Sequence, residues 1–316
     1  MKPAVGFIGL GTMGMGMARN LARAGFPLAL ATRTAGKART LAEELLSVNC
    51  NVRAFDRFDE VGRASRVLVS CLPDAPEVEE VHLGPEGTCR GAAPGTVVID
   101  CSTMSAQAAE EIARRLAGIG IAFLDAPVSG GQKGAIEGTL TFFVGGDAAA
   151  VETARPVLAT MGKRVTHLGP SGSGQLAKAT NQIIVAGNLM AVSEGIAFAE
   201  RVGLPLAALH EALTAGAASS WALEVLGKKM IERDFAPAFA IKHQQKDLAI
   251  VLQTARARGV PLPGVALVHQ LLAALEAQGR SDDGTQALLT LYERLEGQAT
   301  GRPIASHEVS REATPT

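Results

Sequence analysis

The chain has 316 residues, 47% of them hydrophobic and 19% charged, a balance that builds packed cores and excludes a disordered polymer. Its formal net charge of −1 leaves no general basic face for nucleic acid, and one Trp, one Tyr and ten Phe are too few for base-stacking platforms. No apolar run reaches the length needed to span a bilayer, and residues 4–10, behind a single lysine, are too short for a signal segment, so no membrane association is expected.

Along the first half, short apolar runs alternate with amphipathic stretches. Strands are expected at residues 5–8, 28–31, 66–70, 97–100 and 122–124, with helices at 14–23 and 106–117 among them. Two more strands, 140–144 and 164–168, flank a helix at 148–160. Such alternation implies a parallel sheet covered on both faces. At Gly169-Pro170-Ser171-Gly172-Ser173-Gly174 the pattern changes, and only helices are expected afterwards, at 176–201, 205–215, 222–232, 246–259, 263–279 and 284–295. The expected fold class is therefore α/β, a doubly wound parallel sheet over residues 1–168, followed by an all-α domain over 169–296. Residues 297–316 are polar and proline-containing, and disorder is expected there.

Gly9-Leu10-Gly11-Thr12-Met13-Gly14 follows the first strand and opens the first helix, the setting in which a G-x-G-x-x-G cradles a dinucleotide pyrophosphate in a Rossmann-type domain. The first glycine allows the tight turn, the second the approach of the phosphates, and the third close helix–strand packing. Where a carboxylate would bind the ribose of NAD, the second strand ends in Thr32-Arg33-Thr34, with Lys37 a turn on; these suit a 2′-phosphate and favour NADP(H) over NAD(H), the alternative being a solvated surface arginine. Leu72-Pro73 and Thr103 follow strands and fall on the ligand-binding carboxyl edge of the sheet. Asp74, Glu77, Glu79 and Glu80 read as a solvated helix start.

Three further segments carry candidate chemistry. Ser129-Gly130-Gly131, directly after a strand, offers a hydroxyl and open backbone N–H groups to a carboxylate, although a plain loop would also explain its glycines. Lys178 lies two turns into an apolar helix, with Asn181 and Gln182 on its face by spacing. Desolvation and a cationic nicotinamide would favour its neutral amine, suiting a general acid/base; the alternative is a snorkelling lysine. Lys246-Asp247 is expected at a helix start, with Lys246 near cofactor and substrate, and His243 ranks behind Lys178 because no carboxylate partner is evident for it. Cys50, Cys71, Cys89 and Cys101 and the six histidines show no metal-ligand spacing, so no metal is expected, and reduced thiols point to a cytoplasmic protein.

Taken together, Gly6-Phe7-Ile8-Gly9-Leu10-Gly11-x-Met13-Gly14, Asp125-Ala126-Pro127-Val128-Ser129-Gly130-Gly131, Gly174-Gln175-x-x-Lys178-x-x-Asn181-Gln182 and Lys246-Asp247-Leu248 resemble the β-hydroxyacid dehydrogenase family, in the family's order and over nearly the whole chain. The resemblance implies interconversion of a small 3-hydroxy acid and its semialdehyde. It implies Lys178 exchanging the proton, Asn181 assisting, and Ser129, Gly130, Gly131 and Gln182 meeting the substrate. It also places Lys246 by the nicotinamide and implies a homodimer or homotetramer built through the helical domain. Residues 181–186 and Ser219-Ser220 resemble the tartronate semialdehyde reductase branch, whereas Thr32-Arg33-Thr34 is more similar to NADP-preferring succinic semialdehyde and glyoxylate reductases. Trp221, where the former branch tends to carry arginine, would meet a less polar substrate tail. L-Serine dehydrogenation within the family, and a non-catalytic dinucleotide-binding assembly module, are the other expectations.

Overall fold

Nine strands form one sheet in the computed structural model, which describes residues 2–295; the tail expected to be disordered lies outside the described residues. In chain order the strands are β1 (Val5–Ile8), β2 (Leu28–Ala31), β3 (Val52–Ala54), β4 (Val67–Ser70), β5 (Val97–Asp100), β6 (Ala122–Asp125), β7 (Val128–Ser129), β8 (Leu140–Gly145) and β9 (Gly162–Gly169). Helices α1 (Gly14–Arg23), α2 (Ala35–Leu46), α3 (Phe58–Ala64), α4 (Ala75–Leu83), α5 (Ala106–Ala117), α6 (Gly131–Glu137) and α7 (Ala148–Met161) connect them. Every residue of β1, β2, β4 and β5 is buried, as expected of strands packed on both faces. Val5, Phe7, Val67, Val69, Val97 and Ile99 join the core on one face, and Ile8, Leu68, Val98 and Phe123 that on the other.

The strand order is β3-β2-β1-β4-β5-β6-β8-β7, with β9 beside β8. β1 lies between β2 and β4 and parallel to both, so the chain reverses its direction of travel across the sheet there. The glycine loop following β1 therefore sits at a topological switch point, where such sheets bind ligands. From β1 to β5 the sheet is parallel, but β8 runs antiparallel to β6 and β7. Two strands were not anticipated: β3 has three residues with Arg53 exposed, and β7 has two and is defined by its pairing with β8.

The all-helical remainder contains α8 (Ser173–Arg201), α9 (Leu206–Thr214), a π-helical turn at Ala222–Gly227, α10 (Lys228–Ile231), α11 (Ile241–Ala257), α12 (Pro263–Glu276), a 3₁₀ turn at Thr285–Leu288 and α13 (Leu289–Leu295). Compact units divide at Thr180/Asn181, inside α8, whereas the sequence placed the break before that helix. The first turns of α8 hydrogen-bond to the sheet edge through Gln175 and so belong with it: the Gln175 side chain donates to Ser102 O (2.9 Å) and accepts from Met104 N–H (3.1 Å).

Two expectations are corrected. An eighteen-residue window of α8 has mean hydropathy 1.4, so a helix long and apolar enough to cross a bilayer is present. Asn181, Gln182, Asn188 and Ser193 break the apolar run without lowering that mean far, and a core helix has the same composition. Helix α11 starts at Ile241, not at Lys246, so Asp247 is no helix-start carboxylate but a buried residue of the second turn.

Candidate active site

The glycine loop is built as its spacing requires. Gly9 has φ +95°, and a Cβ there would lie 2.3 Å from Cys71 O; at Gly14 it would lie 1.9 Å from Gly9 O. Both are fixed by the protein's own packing. A Cβ on Gly11 would meet nothing within 4 Å, so the protein's own packing does not require a glycine there and the space over it is open to a bound group. Met13 caps α1 without a side-chain bond, and no acidic residue stands in the first turn. The amide groups and positive dipole end of α1 are thus left for an anion, and the loop fits a dinucleotide pyrophosphate.

At the end of β2, Arg33 and Thr34 are exposed, and Arg33 forms no ion pair or side-chain hydrogen bond among the described residues. Neighbouring Arg39 and Arg19, by contrast, pair with Asp56 and Glu44.

The loops carrying Leu72-Pro73 and Thr103 are tied together by a buried polar chain that sequence reasoning missed. Asp100, at the end of β5, accepts from Ser70 Oγ (2.6 Å) and Ser102 Oγ (2.8 Å), and Ser102 Oγ accepts from Leu72 N–H (2.8 Å). Since a carboxylate only accepts, Ser70 must receive its own hydrogen bond from His82 Nε2–H (2.9 Å), leaving His82 Nδ1 to accept from Thr88 Oγ1 (2.8 Å). Burial pushes the Asp100 carboxyl up to about 6 and the His82 imidazole down to about 4. A signal was available: an apolar strand ending in Asp and followed within two residues by Ser.

Asp125 does comparable work at the end of β6. It accepts from Gly172 N–H (2.9 Å) and Gln175 N–H (3.0 Å) at the start of α8, and burial pushes its carboxyl up to about 6. Helix α8 thereby presents Lys178, half-buried, whose Nζ donates to Val128 O at 2.9 Å. Val128 precedes Ser129, so Lys178 and the Ser129-Gly130-Gly131 segment are brought together. Gly130 (φ +129°) and Gly131 (φ +62°) turn the chain sharply into α6, and a Cβ on Gly131 would meet nothing within 4 Å. Hydroxyl, glycine backbone and ammonium together can hold a small carboxylate and exchange one proton beside it.

In the helical unit, Asn181 Nδ2 donates to Gln182 Oε1 (2.8 Å), and Gln182 Nε2 donates to Asp247 Oδ2 (2.6 Å). Lys246 Nζ lies 3.5 Å from Asp247 Oδ1. Asn181, Gln182 and Lys246 are thus assembled around Asp247. Gln182, expected to meet substrate, is instead 3% exposed, with its amide shared between Asn181 and Asp247. Trp221 is exposed and makes no ring contact or side-chain hydrogen bond among the described residues. His243 is pushed down by burial and stacks, tilted, near Phe239.

A family model described as the NAD binding domain of 6-phosphogluconate dehydrogenase matches residues 4–169, and one described as NAD-binding of NADP-dependent 3-hydroxyisobutyrate dehydrogenase matches residues 172–292. The chain belongs to the β-hydroxyacid dehydrogenase family. It is 42% identical over 291 residues to the 2-hydroxy-3-oxopropionate reductase of Escherichia coli, covering 92% of this chain and 97% of that one. It is 39% identical over 292 residues to the probable 3-hydroxyisobutyrate dehydrogenase-like 1 of Arabidopsis thaliana, covering 92% and 85%. A solved 3-hydroxyisobutyrate dehydrogenase of Mycobacterium tuberculosis with L-serine superposes at TM-score 0.81 with 30% identity, covering 92% of this chain and 99% of that one. As a member of the family, the chain is a dehydrogenase that takes a nicotinamide dinucleotide.

Proposed function

We propose that this dehydrogenase interconverts a small 3-hydroxy acid and its semialdehyde, with NADP(H) favoured and Lys178 as the proton-transfer group. One observation carries the reading: Lys178 Nζ held at Val128 O, beside Ser129 and two glycines with left-handed backbone. A bound nicotinamide would supply or accept the hydride. Ser129 Oγ and the Gly130-Gly131 backbone hold the substrate carboxylate, and Lys178 gives its proton to the carbonyl oxygen in reduction and takes it back in oxidation. Asn181 and Trp221 complete substrate contact. Gly9, Gly11, Thr12, Met13 and Gly14 hold the pyrophosphate, Leu72, Pro73, Thr103 and Lys246 line the rest of the cofactor, and Arg33 with Thr34 receives the 2′-phosphate.

Among substrates, 2-hydroxy-3-oxopropionate ranks first because the bacterial reductase of that name is 42% identical. The exposed Trp221 favours a less polar tail, as in methylmalonate semialdehyde. An exposed α8 stripe of Ile184, Gly187, Ala191 and Phe198, continued by Val202 just beyond the helix, supports homodimer or homotetramer assembly. Four cysteines outside any disulfide support a reducing, cytoplasmic setting.

The test is initial-rate reduction of 2-hydroxy-3-oxopropionate, methylmalonate semialdehyde, succinate semialdehyde and glyoxylate, with NADPH and NADH, for wild type, Lys178→Ala and Arg33→Ala. Lys178→Ala should lose ~100-fold or more in kcat while still binding NADPH. Arg33→Ala should weaken the preference for NADPH by roughly tenfold. Unchanged rates in Lys178→Ala would remove it from the chemistry. Wild type that binds NADPH tightly yet turns over none of the four would favour a non-catalytic module.

A further inference from the structure

The polar chain in the helical unit has a direction. Asp247 is 4% exposed at its side chain, and its carboxylate can only accept. The Gln182 carboxamide lies within 2.6 Å of it and must therefore turn its NH₂ group toward Asp247. That leaves Gln182 Oε1 facing Asn181, which can approach at 2.8 Å only with its own NH₂ group. Two amides that could each point either way are thus set by one carboxylate, and the last in the row turns its oxygen outward. Among the described residues Asn181 Oδ1 has no hydrogen-bond partner, and Asn181 is only half-buried.

We propose that Asp247 is a positioning residue which, through Gln182, fixes the amide polarity of Asn181 so that Asn181 presents an acceptor oxygen to an O–H or N–H group of the substrate. The inference rests on the reading above that Asn181 meets substrate. It deepens that reading, because an outward oxygen recognises a hydroxyl or ammonium and not the substrate carboxylate. Substrates bearing such a donor are the class selected, and Gln182 acts inside the protein as the relay rather than on the substrate.

The experiment compares kcat and KM for 2-hydroxy-3-oxopropionate reduction by NADPH in wild type, Asn181→Ala, Asp247→Asn and the double variant Gln182→Glu/Asp247→Asn. In Asp247→Asn the row can run in either direction, and kcat should fall about tenfold to a hundredfold, the size of one hydrogen bond to a reacting group. In the double variant the acceptor-only carboxylate sits at position 182, where it takes an N–H from both neighbours and restores the orientation of Asn181. At least tenfold of any hundredfold loss should return. A purely structural role for Asp247 would not be rescued by moving the charge. No rescue, or a loss confined to the KM for NADPH, which would mark action through Lys246 alone, overturns the proposal. Full activity in Asn181→Ala would overturn the underlying reading instead, so the two failures are separable. Should Asp247→Asn not fold, the side-chain amide protons of ¹⁵N-labelled Asn181 in wild type decide. One proton shifted downfield and protected from exchange is expected, whereas two freely exchanging protons would overturn the row.

Discussion

Every residue of β1, β2, β4 and β5 is buried, whereas α9 buries none and α8 leaves Ile184 58% and Phe198 63% exposed. The helical unit also holds an open cavity of about 360 Å³, bordered by Asn188, Ile196, His210 and Leu223. The dinucleotide-binding unit exposes large apolar side chains too, at Leu46, Val48, Ile119, Ile136 and Leu168, but these are scattered singly, and its central strands spend their apolar surface internally. In the helical unit apolar surface is left over, which is the pattern of a face that another protein surface covers.

Charge placed on the exposed apolar stripe of α8 tests the contrast most severely. If the proposed homo-oligomer forms through this face, replacing both Ile184 and Phe198 with Asp should raise its dissociation constant by ~100-fold or more, since large central apolar side chains carry most of an interface. Leu46→Asp, at a residue 53% exposed in the other unit, should leave assembly untouched. Sedimentation velocity over a concentration series reads both. If the double variant assembles like wild type, the exposed stripe is not the interface.

A second contrast sharpens the account of the glycine loop. Gly11→Ala should leave the melting temperature within a degree or two while raising the KM for NADPH roughly tenfold or more, because its Cβ meets no protein atom and would enter the space proposed for the pyrophosphate. Gly14→Ala should destabilise the fold itself, since a Cβ 1.9 Å from Gly9 O forces helix and loop apart. Equal melting temperatures for the two variants would contradict the packing described for Gly14.

The smallest effect concerns pH. His82, held near 4 against an ordinary 6.5, remains neutral in the fold where the unfolded chain takes up a proton, so its contribution to stability is lost as pH falls from about 6.5 to about 4. Asp100 and Asp125, raised from 3.8 to about 6, act oppositely, and their contribution is lost as pH rises from about 4 to about 6. The two tendencies offset in wild type. Asp100→Asn removes one of the two opposing carboxyls, so its stability should increase more steeply with pH than that of wild type between pH 4.5 and 6.5, by on the order of 1 kcal/mol across the window. Denaturant titrations at four pH values measure the slope, and a slope unchanged from wild type would mean that Asp100 does not titrate there.

How much of this was legible in the sequence follows from the range of the interactions. β1, the glycine loop and α1 are specified by adjacent residues, as is the placement of Ser129 after β6. Lys178 stands out because a lysine interrupts an apolar helix. β3 and β7, by contrast, are too short to show a period, and they exist because β2 and β8 offer them partners. Asp247 meets Gln182 across 65 residues, and Asp100 meets Ser70 across 30, separations at which no spacing rule operates. That is why Gln182 read as a substrate contact and Asp247 as a helix cap, and why His82 passed unnoticed within an acidic helix.

Asp125 closes the first turn of α8 with its two carboxylate oxygens, one on Gly172 N–H and the other on Gln175 N–H. Burial raises its carboxyl to about 6, so by linkage a bound proton favours the closed clasp over an opened, hydrated one, and ionisation loosens it. In the language of hydrogen exchange, the amides of Gly172 and Gln175 are the reporters: their opening equilibrium should grow as pH rises from about 4 to about 6, ahead of the rest of the helix. The segment that aims Lys178 would then gain freedom on ionisation of one buried carboxyl while the sheet beneath it stays formed.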